Sequence, residues 1–212
     1  MKLKIHEIFY SLQGESSRVG LPTVFVRLTG CPMRCSYCDT AYAFNGGSNM
    51  SLAEILDKVA SYGAHYITVT GGEPLAQKAC WPLLTALSDA GYSVSLETGG
   101  AIDTREVDER VSVILDIKTP GSGELKNMCM DNIKYLKAQD EVKFVLCNRP
   151  DYDWAKELLA KYALNKTCSV LFSPVYNQVN PTELAEWILH DKLPVRMQVQ
   201  LHKILWGEKP GV

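Results

Sequence analysis

Thr23-Val24-Phe25-Val26-Arg27-Leu28-Thr29-Gly30-Cys31-Pro32-Met33-Arg34-Cys35-Ser36-Tyr37-Cys38 joins an apolar, β-branched run to three cysteines spaced x3 and x2. The run alternates as a strand does: Thr23, Phe25, Arg27 and Thr29 share one face, and Val24, Val26 and Leu28 the other. The cysteines follow at its carboxyl end. Three thiolates are one short of the set that ties every iron of a four-iron cluster to protein. A cubane held by three keeps one iron open for a small ligand, as catalytic zinc keeps an open position. The triplet also suits zinc, with His6 or His65 as fourth ligand, or an electron-transfer cluster completed by Cys80, Cys129, Cys147 or Cys168. A structural disulfide does not suit a chain without an apolar leader, which is expected to stay in a reducing compartment.

Outward from this stretch, apolar runs alternate with helical patterns. Strands are expected at Thr23–Thr29, Tyr66–Thr70, Ser93–Glu97, Val111–Ile117, Glu141–Cys147, Ser169–Phe172 and Arg196–Leu201. Helices are expected near 51–61, 78–90, 131–138, 151–163 and 181–190. Ser51-Leu52-Ala53-Glu54 reads as a capping box, and Asn180-Pro181 as an N-cap before a first-turn proline. This alternation predicts an α/β fold with a parallel sheet. A full eight-unit barrel needs about 250 residues. A chain of 212 therefore fits an incomplete (β/α) barrel of about six parallel strands, in one domain spanning 1–212.

With 46% hydrophobic and 22% charged residues the composition is that of an ordinary globular domain. A formal charge of −2 without a basic cluster speaks against a nucleic-acid surface, and no apolar run reaches membrane-spanning length. The expected setting is cytoplasmic.

Polar punctuation follows each strand: Gly71-Gly72-Glu73-Pro74, Glu97-Thr98-Gly99-Gly100, Lys118-Thr119-Pro120, Asn148-Arg149, Ser173-Pro174, and finally Gln200 with His202-Lys203. Parallel strands place their carboxyl ends on one rim, where barrel enzymes keep their sites. The cysteine loop together with the Gly-Gly-Glu-Pro turn matches the signature of radical S-adenosylmethionine (SAM) enzymes. In that reading the glycines admit close backbone approach of the SAM ammonium. Tyr37 leans on adenine, and Asp116, Lys118 and Ser173 reach SAM from successive strand ends. Each of these also reads, singly, as a loop-packing or strand-end hydrogen-bonding residue. Gln13 and Glu15, flanking Gly14, offer an amide and a carboxylate to a heterocycle edge, or else form a surface turn. Arg27, on a central strand, requires an anionic partner: a protein carboxylate, or a substrate carboxylate gripped bidentately.

Leu12-Gln13-Gly14-Glu15, Arg27, Gly30 to Thr40, Thr70 to Pro74 and Gln200 to Lys203, taken in order, resemble the 7-carboxy-7-deazaguanine synthase family. The resemblance implies conversion of 6-carboxy-5,6,7,8-tetrahydropterin to 7-carboxy-7-deazaguanine with loss of ammonia, by a homodimer. Cys31, Cys35 and Cys38 would ligate a [4Fe-4S] cluster, and Thr40 would offer its hydroxyl to Mg2+. Leu12, Gln13, Gly14, Glu15, Arg27, Thr70 and His202 would hold the pterin. Tyr37, Cys38, Asp39, Gly72, Asp116, Lys118 and Ser173 would contact SAM. A reductase or flavodoxin-like protein would donate the electron. A glycyl-radical activase is the competing radical reading, although it has no need of Gln13, Glu15 and Arg27 directed at a small ring.

Overall fold

A computed structural model describes residues 1–212. Its strands are β1 (Lys2–Leu12), β2 (Pro22–Leu28), β3 (Ser48–Ser51), β4 (Tyr66–Gly71), β5 (Ser93–Thr98), β6 (Ser112–Asp116), β7 (Glu141–Leu146), β8 (Ser169–Pro174) and β9 (Arg196–Met197). The helices are α1 (Leu52–Ala60), α2 (Cys80–Asp89), α3 (Arg149–Tyr162), α4 (Leu164–Thr167), α5 (Pro181–Asp191) and α6 (Leu201–Trp206). One nine-stranded sheet runs in the order β3-β1-β2-β4-β5-β6-β7-β8-β9. From β2 through β9 every neighbouring pair is parallel, and β1 and β3 add an antiparallel edge. The sheet is open, as an incomplete barrel is, with seven parallel strands.

Local chemistry sets the helix starts. At α1, Ser51 Oγ accepts from the Glu54 N–H at 3.3 Å, and Glu54 accepts from the Ser51 N–H at 2.7 Å; a cap of this kind stabilises by about 1 kcal/mol. Asn148 and Asn180 cap α3 and α5 by accepting from the Asp151 and Thr182 amides at 2.9 Å.

The two faces of the sheet differ sharply. Ile67 and Val69, Val94 and Leu96, and Val113 and Leu115, with Val142, Phe144 and Leu146, point outward into two apolar clusters under the helices. The intervening positions carry Thr68 and Thr70, Ser95 and Glu97, Asp116, Lys143 and Ser173. Parallel strands normally read as continuous apolar runs because both faces are buried in hydrocarbon. Here the inner face is polar because it lines the site.

Three expectations change. Residues 2–12 form a full strand, so Leu12-Gln13 follows a strand instead of preceding the first. The helix expected over 131–138 is a 3-10 segment, Met130–Tyr135; Asn132 inside it donates to Ile102 O and accepts from the Thr104 N–H, tying the segment to the 98–110 connection. The last strand stops at Met197, because Gln198 turns inward to bond the Ser16 backbone in both directions, at 2.6 and 2.8 Å. His202 and Lys203 consequently lie on α6 and do not end a strand.

Candidate active site

The cysteine loop is braced from two sides. Toward β4, the Gly72 N–H donates to Leu28 O at 3.2 Å and the Glu73 N–H to Gly30 O at 2.8 Å. Glu73 in turn accepts from Thr98 Oγ1 at 2.8 Å and from the Gly99 N–H at 2.9 Å, so the Gly-Gly-Glu-Pro turn also locks the end of β5. A side chain at residue 72 has no room: a Cβ would stand 2.2 Å from Gly30 O. On the other side, the Ser36 N–H and hydroxyl donate to Ser122 O and Gly121 O at 3.1 and 2.9 Å. Asp151, at the start of α3, fixes that second loop by accepting from Thr119 Oγ1 and the Gly121 N–H, each at 2.8 Å.

Cys31, Cys35 and Cys38 are free and partly buried. Burial pushes the Cys35 thiol up to about 11, and Cys31 moves the same way for the same reason. Lys118 pulls both back down, and each thiol is raised further by its neighbours' negative charge. Such thiols ligate as thiolates only beside additional positive charge, which the irons of a cluster carry.

Close by, Asp116 Oδ1, Ser173 Oγ and Tyr37 OH are buried without a hydrogen-bond partner. Burying one such group unpaired costs about 1–3 kcal/mol. Three of them beside the cysteine loop are the mark of polar ligand groups that complete them. Asp116 Oδ2 is held by Lys118 at 3.0 Å, and the Lys118 ammonium lies 5.7 Å from the Tyr37 ring centre. Thiols, a crowded glycine turn and unsatisfied acceptors thus fit a cluster with SAM beside it.

The floor of the barrel is built differently. Leu12 pairs with Pro22 at the amino end of β2, so residues 13–20 enter from the end opposite the cysteines. Gln13 and Glu15 are 2% and 9% exposed, which rules out the surface turn. Gln13 Nε2 donates to Thr68 Oγ1 at 3.1 Å and to Glu97 at 3.2 Å, while Thr70 Oγ1 donates to the other Glu97 oxygen at 3.0 Å. Glu15 accepts from Lys143 at 2.5 Å and Gln200 at 2.6 Å. The α6 segment closes the gap beside the loop: the Leu201 N–H donates to Gly14 O at 3.0 Å, and His202 packs so closely that a Cβ on Gly14 would lie 2.1 Å from its ring.

Electrostatics separates the two floor carboxyls. Burial would raise Glu15, but the Lys143 ammonium and the hydrogen bonds from Lys143 and Gln200 outweigh it and hold Glu15 at about 2. Burial raises Glu97 and prevails there, with Lys143 only partly opposing it. His202 is lowered by its burial.

These groups face a cavity of about 610 Å³. All seven residues expected to hold a ring line it, and Tyr37, Cys38, Asp39 and Thr40 form its wall on the cysteine side. Cys31, Cys35, Gly72, Asp116, Lys118 and Ser173 are not among its lining residues. Arg27 opens on the cavity, with its Nε donating to Glu7 at 2.7 Å. A protein carboxylate therefore supplies one partner, and the terminal nitrogens, the ones suited to a bidentate carboxylate, make no hydrogen bond with it. Residues 207–212 fold across the mouth and bring Val212 into the lining.

The sequence reading passed over Lys143 and Glu7, and it named Gln200 without giving it a contact. For Lys143 a signal existed: Glu141-Val142-Lys143-Phe144 alternates charged and apolar residues inside a central parallel strand, the same pattern that singled out Arg27.

Comparison with known proteins agrees with this geometry. Residues 25–122 match the family model described as "Radical SAM superfamily". The chain is 47% identical to a 7-carboxy-7-deazaguanine synthase of Chlorobaculum tepidum, over 97% of this chain and 94% of that protein. It is 41% identical to one of Koribacter versatilis, over 99% and 100%. Among solved structures it is similar to QueE from Escherichia coli, with TM-score 0.77, 25% identity and 95% of each chain covered. Streptococcus suis SuiB bound to S-adenosylmethionine, at 13% identity and TM-score 0.56 over 81% of this chain, shares the fold.

Proposed function

The chain belongs to the 7-carboxy-7-deazaguanine synthase family of radical SAM enzymes, and on that premise we propose that it converts 6-carboxy-5,6,7,8-tetrahydropterin to 7-carboxy-7-deazaguanine with release of ammonia, in queuosine and related 7-deazapurine biosynthesis. The observation that carries this reading is the single cavity onto which Gln13, Glu15 and Arg27 converge, with Tyr37, Cys38 and Thr40 as its facing wall.

Cys31, Cys35 and Cys38 would hold the [4Fe-4S] cluster, and Gly72, Asp116, Lys118 and Ser173 would seat SAM beside it, with Tyr37, Cys38 and Asp39 along the loop. Bound there, the cluster and SAM would supply the one-electron chemistry that takes a hydrogen atom from carbon. Every other task falls to the protein. Ionised Glu15 accepts along the edge of the pterin beside the carbonyl oxygen of Gln13, whose amide N–H groups are held by Thr68 and Glu97, assisted by the Leu12 and Gly14 backbone, Thr70 and His202. Arg27 grips the ring carboxylate through its terminal nitrogens. Thr40 offers a hydroxyl to Mg2+, a hard cation that keeps waters and substrate oxygens and needs few protein ligands. Fixing the ring at both ends leaves one C–H within reach, and that positioning is the protein's main contribution to rate.

This reading includes a homodimer, a single domain over 1–212, a cytoplasmic setting and a reductase or flavodoxin-like electron donor. No helix is long and apolar enough to cross a membrane. The test is anaerobic: load the protein with iron and sulfide, then add reductant, SAM and the carboxytetrahydropterin. The expected result is 7-carboxy-7-deazaguanine with one ammonia per product and more product than SAM consumed. A loaded, SAM-responsive protein that leaves the pterin untouched would overturn the assignment.

A further inference from the structure

Lys143 lines the cavity between Glu15 and Asp116. It projects from the middle of β7 into the barrel, 8% exposed, with Glu15 at 2.5 Å on the floor side and Asp116 at 3.5 Å on the side assigned to SAM. We infer that Lys143 is a positioning residue for this reaction: its ammonium keeps the Glu15 carboxylate an acceptor for ring N–H groups and ties it to Asp116 on the neighbouring strand. The inference rests on the proposed function, because it assigns Lys143 a task toward the same pterin.

The charged groups that bear on the pair come from five elements. Glu97 on β5 and Asp116 on β6 attract the ammonium, Lys118 after β6 competes for Asp116, Arg27 on β2 partly balances Glu97, and His202 on α6 faces Glu15. Glu141, two residues before Lys143, is already engaged by the Ser17 N–H and hydroxyl. Burial by itself would drive Lys143 toward neutrality, yet Glu15, Asp116 and Glu97 together raise it well above the ordinary lysine value. Without that ammonium the two strongest influences that hold Glu15 down are gone, and burial, which raises it, is opposed only by the Gln200 hydrogen bond and by His202. A desolvated carboxyl so placed moves toward its neutral form. Glu15 then loses the charge with which it accepts from the ring.

The test measures binding of the carboxytetrahydropterin by calorimetry. It uses cluster-loaded protein with SAM and no reductant, from pH 6 to 9. Lys143→Gln is expected to weaken binding at pH 7 by about 30-fold, the lower end for truncating one partner of a buried charged pair. The sign of the pH effect follows from Glu15. Its carboxyl, raised in the variant, ionises as pH climbs, so the ratio of variant to wild-type Kd should fall between pH 6 and 9. Lys143 and Glu15 also act on His202, so the ratio is measured again in a His202→Gln background, where the fall with pH should persist. Lys143→Arg should restore binding to within a few-fold. A ratio near one, or a deficit that does not vary with pH, would overturn the inference. Should Lys143→Gln fail to fold, infrared difference spectra of the wild type decide: at pH 6 a carboxylate band lost in Glu15→Gln supports the inference, and a protonated-carboxyl band there refutes it. A wild type that binds no pterin at any pH would sink the functional reading and this inference with it, whereas normal wild-type binding matched by Lys143→Gln sinks the inference alone.

Discussion

Cys35→Ala is expected to lose its cluster, falling from about four irons per chain to near none, and to show no detectable product. Three thiolates hold three irons of a cubane and leave one open, and two are too few to hold it. The loop itself should stay in place, because Ser36 is pinned to Ser122 and Gly121 through contacts that the substitution leaves alone. The fold should therefore survive, as read from an unchanged thermal midpoint of the cluster-free proteins. Cys147 is the informative control. It lies near Cys35 but outside the cysteine loop, where burial and the neighbouring Asp151 carboxylate raise its thiol. Cys147→Ala should keep its iron. Iron loss in Cys147→Ala with retention in Cys35→Ala would reverse the ligand assignment.

Arg27→Ala is expected to raise the Kd for the carboxytetrahydropterin by roughly 30-fold to several thousand-fold, the range for about 2–5 kcal/mol lost when one partner of a desolvated ion pair is removed. Iron content and the spectral response to SAM should not change, since Arg27 touches neither the cysteines nor Asp116. Collapse of the fold is not expected, because Glu7 keeps the Tyr42 hydroxyl at 3.0 Å and sits on a partly exposed edge. Lys in place of Arg27 should recover only part of the affinity, because an ammonium provides charge without the planar fork. An unchanged Kd in Arg27→Ala would mean that Arg27 serves only its ion pair with Glu7.

How much of this was legible before the structure varies with the physics of each part. The seven parallel strands and four of the six helices announce themselves through apolar runs bounded by Gly, Pro and capping residues, whereas the short α4 and α6 do not. The edge strands did not. In β1 the register shifts between Ile5 and Glu7, and lysines alternate with apolar residues at its exposed start, so its period is broken. β3 is four residues long and ends on the Ser51 that caps α1, so its signal merges with the helix start. The truncated last strand was illegible because its end is set by Gln198 meeting Ser16, a contact across most of the chain. In the site, motif spacing located the cysteine loop and the glycine turn. Asp116 and Ser173 emerged from their places after strands. Lys143 went unread because a lysine inside a strand looks like a surface residue until the inner face is recognised as polar on several strands at once. Thr68, Ser95 and Glu97 carry that pattern in plain view, and reading them together would have marked Lys143 as facing inward.

The central claim is that three thiolates present an open iron corner toward the wall bearing Asp116 and Ser173, above a floor shaped for an acid-bearing ring. Electron paramagnetic resonance of the reduced, loaded protein tests it most directly, recorded alone, with SAM, and with SAM plus the carboxytetrahydropterin. The account expects one four-iron signal whose g-values shift when SAM is added, with the SAM-dependent shift weakened in Asp116→Asn. A signal indifferent to SAM would contradict it, because every iron would then already be claimed by the protein.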